Sequence, residues 1–304
     1  MTRMSQDLAE KLHIIERVFG KNLSAIQTDA SYIQEYYRVN RLAYSLFHSR
    51  SNFVHMGISR TGTYRKEDLS ESTRIVGSVI TDTHAKNVLE LATGRGANSA
   101  WLAKRHPATS FTGVDLSPAQ LRYAEREASR ATNITIKDAD FHDLSQFADS
   151  SFDLVFVIEA LCYSQTKDVV VGEVSRILRP GGHFIIIDGY LGERTLTPDE
   201  TVAARLTALG MAVEDFEPYQ RLTNTLQSSR FKIVHEEDVS PYVIPTMMRF
   251  ERLARLFFLQ LWLARVTTHV LPEKFLYNAV SGWLMPELFR EQVFKYWVTI
   301  SKKT

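Results

Sequence analysis

The sequence predicts a doubly wound α/β fold with a mostly parallel seven-stranded sheet, a helical N-terminal extension and a helical cap. Three observations carry this expectation. Strand-like and helix-like stretches alternate across residues 86–191, and such alternation needs crossover helices and therefore a parallel sheet. The run Phe152–Ile158 (FDLVFVI) is almost continuously apolar, as a strand covered on both faces must be. The first apolar run, Asn87–Ala92, ends in a turn holding Gly94 and Gly96.

The elements follow in order. Leu8, Leu12, Ile15 and Phe19 recur at helical spacing, so the chain begins with an amphipathic helix. Residues 1–85 read as a helical extension or lid with aromatic clusters. Asn87–Ala92 is the first strand and Asn98–Arg105 a helix. Ser110–Asp115 is the second strand, and Ser117-Pro118 opens the next helix with serine as N-cap and proline in the first turn. Asn133–Lys137 and Phe152–Ile158 are the third and fourth strands. Asp168–Leu178 is a helix stopped by Pro180-Gly181-Gly182, and His183–Asp188 is the fifth strand. Residues 192–304 supply a helical cap and two further strands, Arg230–Glu236 and Phe294–Ser301, which complete the sheet.

Composition narrows the function classes. The chain has 304 residues, 36 Lys plus Arg against 35 Asp plus Glu, and a net charge of +1. That balance argues against a nucleic-acid partner, which needs a basic face. The single cysteine, Cys162, permits no internal disulfide and no cysteine-based metal site. A reducing, cytoplasmic setting is expected. No metal is expected, since no H-x-x-x-H or H-E-x-x-H spacing occurs. G-x-S-x-G is also absent, so no Ser-His-Asp arrangement can be argued. The apolar stretch near 256–264 is bracketed by Arg255 and Arg265 and is shorter than the ~20 residues that cross a bilayer.

The most informative segment is Glu90-Leu91-Ala92-Thr93-Gly94-Arg95-Gly96-Ala97-Asn98-Ser99. Glycines there let the backbone approach a ligand, and ligands of open α/β sheets bind beyond the carboxyl ends of the strands. Dinucleotide binding wants G-x-G-x-x-G, but Ser99 holds the third glycine's place. A carboxylate at Glu90 would repel a pyrophosphate and suit a cationic amine or sulfonium beside a ribose. Asp115, ending the second strand, can accept two ribose hydroxyl bonds; it can equally cap the next helix. Asp140-Phe141 after the third strand suits an adenine amino group and base face, or a plain loop. A nicotinamide-dependent oxidoreductase and a catalytically silent binding subunit remain rivals at this point.

The order of these residues resembles a family. Glu90-Leu-Ala-Thr-Gly-Arg-Gly96, Val114-Asp115-Leu-Ser-Pro118, Lys137-Asp-Ala-Asp140-Phe141, Ser151-Phe152-Asp153-Leu-Val-Phe156 and Leu178-Arg-Pro-Gly-Gly182 look like class I S-adenosylmethionine-dependent methyltransferases, whose core is Rossmann-like. The resemblance covers roughly 86–190. It implies S-adenosylmethionine as cofactor, with Glu90 and the Ala92–Gly96 backbone (Ala92, Thr93, Gly94, Gly96) at the methionine end. Asp115 would hold the ribose, Asp140 and Phe141 the adenine. Ile158, Glu159 and Ala160 would pass under the sulfonium. Leu91, Asn98, Leu116, Gln120 and Tyr163 complete the implied donor site. The chain departs from the family where glycine is usual at Ala92 and cysteine frequent at Thr93.

The acceptor is expected to be small and lipophilic, because the added segments are greasy: Met247, Met248, Phe250, Phe257, Phe258, Trp262, Phe275 and Trp283 among them. Tyr36, Tyr37, Met248 and Trp262 are the candidate acceptor contacts. Glu159-Ala-Leu-Cys162-Tyr163 and the Tyr36-Tyr37 pair resemble the sterol and tocopherol branch. By that likeness carbon is the first choice of accepting atom, with oxygen or nitrogen as alternatives. Carbon methylation needs a base for the proton left behind; Glu159 is the first candidate and His55 the second. Arg249, Arg252, Arg255 and Arg265 leave open a peripheral contact with a membrane surface, and the N-terminal helix leaves open a homo-oligomer.

Overall fold

The computed structural model describes residues 3–20, 23, 26, 32, 35, 39 and 52–304. Its centre is a seven-stranded sheet in the order β3-β2-β1-β4-β5-β7-β6. The strands are β1 (Asn87–Leu91), β2 (Ser110–Asp115), β3 (Ile134–Asp138), β4 (Phe152–Ile158), β5 (Leu178–Leu191), β6 (Phe231–Asp238) and β7 (Phe294–Lys303). β1 to β5 are mutually parallel, while β7 runs antiparallel to both β5 and β6. The chain order reverses direction between β1 and β4, which makes the crevice above their carboxyl ends the expected ligand position.

Alternation along the strands sorts side chains onto two covered faces. Val88, Leu154, Phe156, Ile185 and Ile187 join one core; Leu89, Leu91, Val155, Val157 and Ile186 join the other. The second core is closed by helices α5 (Lys167–Ile177) and α7 (Tyr219–Ser228) through Val170, Val174, Leu222 and Leu226. The first is closed by α2 (Glu71–Thr83) and α3 (Ala97–Arg105) through Val76, Ile80 and Leu102. The same core continues without a break into α1 (Arg3–Phe19), α6 (Pro198–Met211), α8 (Ser240–Leu259), α9 (Leu261–Val270) and α10 (Glu273–Arg290).

The described helices within residues 1–85 do not share one packing partner. α2 packs on the sheet, whereas α1 packs on the cap, where buried Lys11 pairs with Glu251 at 3.3 Å and Glu287 at 3.0 Å. A lysine is buried only where carboxylates replace water around it. Nor does the Ser117 hydroxyl cap α4 (Pro118–Ala128). Asp115 Oδ1 accepts the Ser117 N–H at 2.8 Å instead, so the carboxylate two residues upstream fixes the entry to the helix. The helix α5 ends at Ile177 and β5 begins at once. Pro180-Gly181-Gly182 form an irregularity inside that strand, where pairing with β4 jumps from Leu178 to His183.

Candidate functional site

The turn after β1 is organised by a buried carboxylate. Glu90 is 2 % exposed. It accepts hydrogen bonds from Thr93 Oγ1 at 2.8 Å, Asn98 Nδ2 at 2.9 Å and the Ser99 hydroxyl. Burial raises its pKa and those donors oppose the shift. Gly96 (φ +76°) must be glycine, because a Cβ would stand 2.9 Å from the Ala124 Cα. Ala92 adopts φ +50°, a left-handed conformation costing an alanine about 1 kcal/mol; this is the position where glycine would be free of strain. Thr93 lies against Gly113, whose missing side chain leaves it room.

The turn floors a cavity of about 720 Å³ at the β1/β4 switch point, within the size range of small-molecule sites. Asp115 receives the Gly94 N–H at 2.8 Å on one oxygen and the Ser117 N–H on the other. Asp140 accepts the His142 N–H at 2.8 Å, and its Oδ1 lies 2.6 Å from His142 Nδ1. Phe141 lines the wall beside them. Met211 from α6, Phe250, Leu253 and Phe257 from α8, and Phe275 and Met285 from α10 close the cavity from above.

An extended strap, residues 53–59, joins floor to cap. Ser59 N–H donates to Tyr242 O at 2.7 Å, and Thr246 Oγ1 donates to Gly57 O at 3.0 Å. The Met56 N–H donates to Glu159 Oε1 at 2.6 Å, and the Tyr296 hydroxyl donates to the same oxygen at 2.6 Å. Glu159 sits just past β4 at φ +50°, and strained backbone of this kind clusters at functional positions. Burial pushes its carboxyl up to about 7, against the pull of those two donors. His55 is 3 % exposed. Its Nδ1 lies 3.1 Å from Met56 O and its Nε2 3.1 Å from Asn98 Oδ1, and burial lowers its pKa.

Most of the sequence-predicted residues meet at this cavity. Ala92, Thr93, Gly94, Asn98, Asp115, Leu116, Gln120, Asp140, Phe141, Ile158, Glu159, Ala160, Tyr163 and His55 all line it. Glu90, Leu91 and Gly96 do not. Glu90 is enclosed by its own turn and stands behind the floor. Leu91 points into the second core, and Gly96 packs on α4. Met248 is absent from the lining and Trp262 is 68 % exposed; the helix faces of α8 and α9 that carry them turn away from the cavity. Tyr36 and Tyr37 lie outside the described residues.

Sequence reasoning missed the strap residues Phe53, Val54 and Met56, and Arg95, His142 and Met285. Arg95 was legible as the residue between two turn glycines. The others reach the site only through packing. The fold also brings Ser164, His142 and Asp140 into line, with Ser164 Oγ 2.8 Å from His142 Nε2, although no sequence spacing announces it. Ser164 is 1 % exposed and its oxygen also receives the Thr166 N–H. The group is therefore a strut between two loops, not an exposed nucleophile.

Comparison with known proteins bears on the family and the fold. Residues 89–186 match the family described as a methyltransferase domain. The chain is 28 % identical over 248 residues to O-methyltransferase cnsE of Penicillium expansum, covering 76 % of this chain and 85 % of that one. In fold it is similar to a putative sarcosine dimethylglycine methyltransferase from Galdieria sulphuraria (TM-score 0.71, 15 % identity, covering 88 % of this chain and 98 % of that one). It is likewise similar to geranyl diphosphate C-methyltransferase from Streptomyces coelicolor A3(2), solved with Mg2+, geranyl diphosphate and S-adenosyl-L-homocysteine. That match has a TM-score of 0.61 at 16 % identity and covers 91 % of this chain and 100 % of that one. Residues 89–186 are a methyltransferase domain by sequence, and with its methyltransferase homologues this makes the chain an S-adenosylmethionine-dependent methyltransferase. It is an enzyme of small-molecule methylation, with S-adenosylmethionine as its methyl donor.

Proposed function

We propose that this enzyme methylates a hydroxyl oxygen of a small, largely apolar acceptor held under the cap. The observation that carries the reading is Glu159, a carboxyl lifted to about 7 where the donor floor meets the apolar wall. The kinship with an O-methyltransferase over most of both chains supports oxygen and moves it ahead of carbon.

Bound S-adenosylmethionine supplies an electrophilic methyl group on a sulfonium. The residues present fit it. The Ala92–Gly94 backbone and Asn98 orient its methionine end. Asp115 keeps lone pairs for ribose hydroxyls beyond the two it spends on Gly94 and Ser117. Phe141 and Asp140 suit the adenine. Phe250, Phe257 and Phe275 exclude water and align the acceptor, which is most of what such a displacement asks of a protein. As the O–CH3 bond would form and the methyl–sulfur bond break, leaving the neutral thioether S-adenosylhomocysteine, the hydroxyl proton would pass to Glu159. His55 is the weaker base, since both its ring nitrogens are engaged; its role is to position Asn98.

The sign of the pH dependence follows. Glu159 holds a proton in the native state that the unfolded chain loses near 4.5. Its contribution to stability therefore falls as pH rises from about 4.5 to about 7. The basic form needed for proton transfer accumulates above about 7, so turnover rises through that pH. Glu159→Gln should lower kcat by ~10²–10⁴-fold, remove that rise and leave donor affinity unchanged; equal losses in turnover and donor binding would make Glu159 a binding residue only.

Carbon methylation is the second reading, supported by aromatic faces on the cap wall that suit a transient cation. Incubation with a trideuteromethyl donor and a panel of sterols, prenyl compounds, quinones and phenols separates the two. Label on oxygen supports the first reading and label on carbon the second. No transfer to any apolar acceptor sinks both.

A further inference from the structure

The outer face of α8 and α9 carries an apolar row of which only Leu253 also lines the cavity. Leu253, Leu256, Leu259, Trp262, Val266 and Val270 are 45 %, 67 %, 62 %, 68 %, 52 % and 75 % exposed. Their inward neighbours Ala254, Phe258 and Ala264 are buried, so the helices are seated and the apolar row is a surface, not a packing fault. Contiguous exposed patches of this kind mark interaction sites. Along the row's own stretch the charge has one sign, and the two carboxylates that flank it are engaged, Glu251 by Lys11 and Glu273 by the Tyr277 hydroxyl. From Arg252 to Pro272 the sequence holds Arg252, Arg255, Arg265 and His269 and no carboxylate, and all three arginines are exposed.

We propose that this crest docks on an anionic phospholipid bilayer. Apolar side chains with a tryptophan, flanked by cations, match the boundary between acyl chains and acidic headgroups. Among the described residues no helix is long and apolar enough to cross a membrane, so the contact is peripheral. A second copy of the chain fits worse, because a two-fold contact through the same crest sets arginine against arginine. Position adds an argument. Leu253 belongs both to the crest and to the cavity wall, and Phe257, one turn on, lines the cavity. Docking therefore brings the mouth to the bilayer, and a lipophilic acceptor enters without crossing water. Docking through this crest is independent of which atom receives the methyl group, and vesicle binding is read without turnover.

The test is co-sedimentation of the full chain with phosphatidylcholine vesicles and with vesicles doped with phosphatidylglycerol. Expected is at least ~10-fold stronger partitioning onto the anionic vesicles, weakening as salt is raised. Leu256→Glu with Trp262→Glu should abolish it while S-adenosylhomocysteine affinity stays unchanged, which verifies folding. Brominated lipid should quench the protein's fluorescence, and Trp262→Phe should remove most of that quenching. Absence of binding to either vesicle, or binding indifferent to the paired substitution, overturns the proposal. So does a concentration-dependent dimer in ultracentrifugation that the paired substitution dissolves.

Discussion

The floor and the cap of the cavity are built in opposite ways. The floor is polar, local in sequence and tied by hydrogen bonds. Glu90, Thr93, Asn98 and Ser99 lie within ten residues and satisfy one another. The cap is apolar, drawn from segments far apart in the chain, and held by packing of α6, α8 and α10. On the proposed function, the difference separates two tasks. A floor that meets one constant donor benefits from fixed dipoles, whereas a wall that meets a particular acceptor needs only shape and dryness.

The largest effect should come from breaking the floor. Glu90→Ala leaves three buried donors without their acceptor and should cost roughly 3 kcal/mol of stability in denaturant unfolding, with donor affinity falling alongside. Glu90→Gln keeps one acceptor and should lose less. If Glu90→Ala unfolds like the parent, the carboxylate does not organise the turn. Asp115→Ala comes next, weakening S-adenosylhomocysteine binding by about 1–3 kcal/mol in calorimetry. Unchanged affinity would take Asp115 out of the donor site.

The cap should respond the other way. Phe257→Ala removes a ring from the wall and should raise KM for an apolar acceptor by about 1–2 kcal/mol while leaving the donor dissociation constant alone. A shift in donor binding would blur the division between the two regions. The smallest effect is a gain. Ala92→Gly releases a left-handed alanine and should stabilise the protein by roughly 0.5–1 kcal/mol, read as a rise in Tm; a fall would mean the methyl group packs usefully.

Legibility followed the same line. The β1 turn, Asp115 and Asp140-Phe141 could be read because each sits where a strand ends, and strand ends are marked by periodicity and turn residues. Even there the spacing shows that Glu90 is near the turn but not that three side chains enclose it. Met248 and Trp262 were chosen for size and polarity, and those properties do not say which way a helix faces. Met56 and Met285 carry no signal of their own.

Residue spacing within single elements and the backbone freedom of a few glycines were enough to place the sheet, its two covered faces and the turn after β1. The apolar wall of the cavity, the seat of Glu159 between Met56 and Tyr296, and the choice of inward helix face came only with the packed chain. Those rest on contacts between residues distant in the chain, whose energies come from packing and burial rather than from any local pattern.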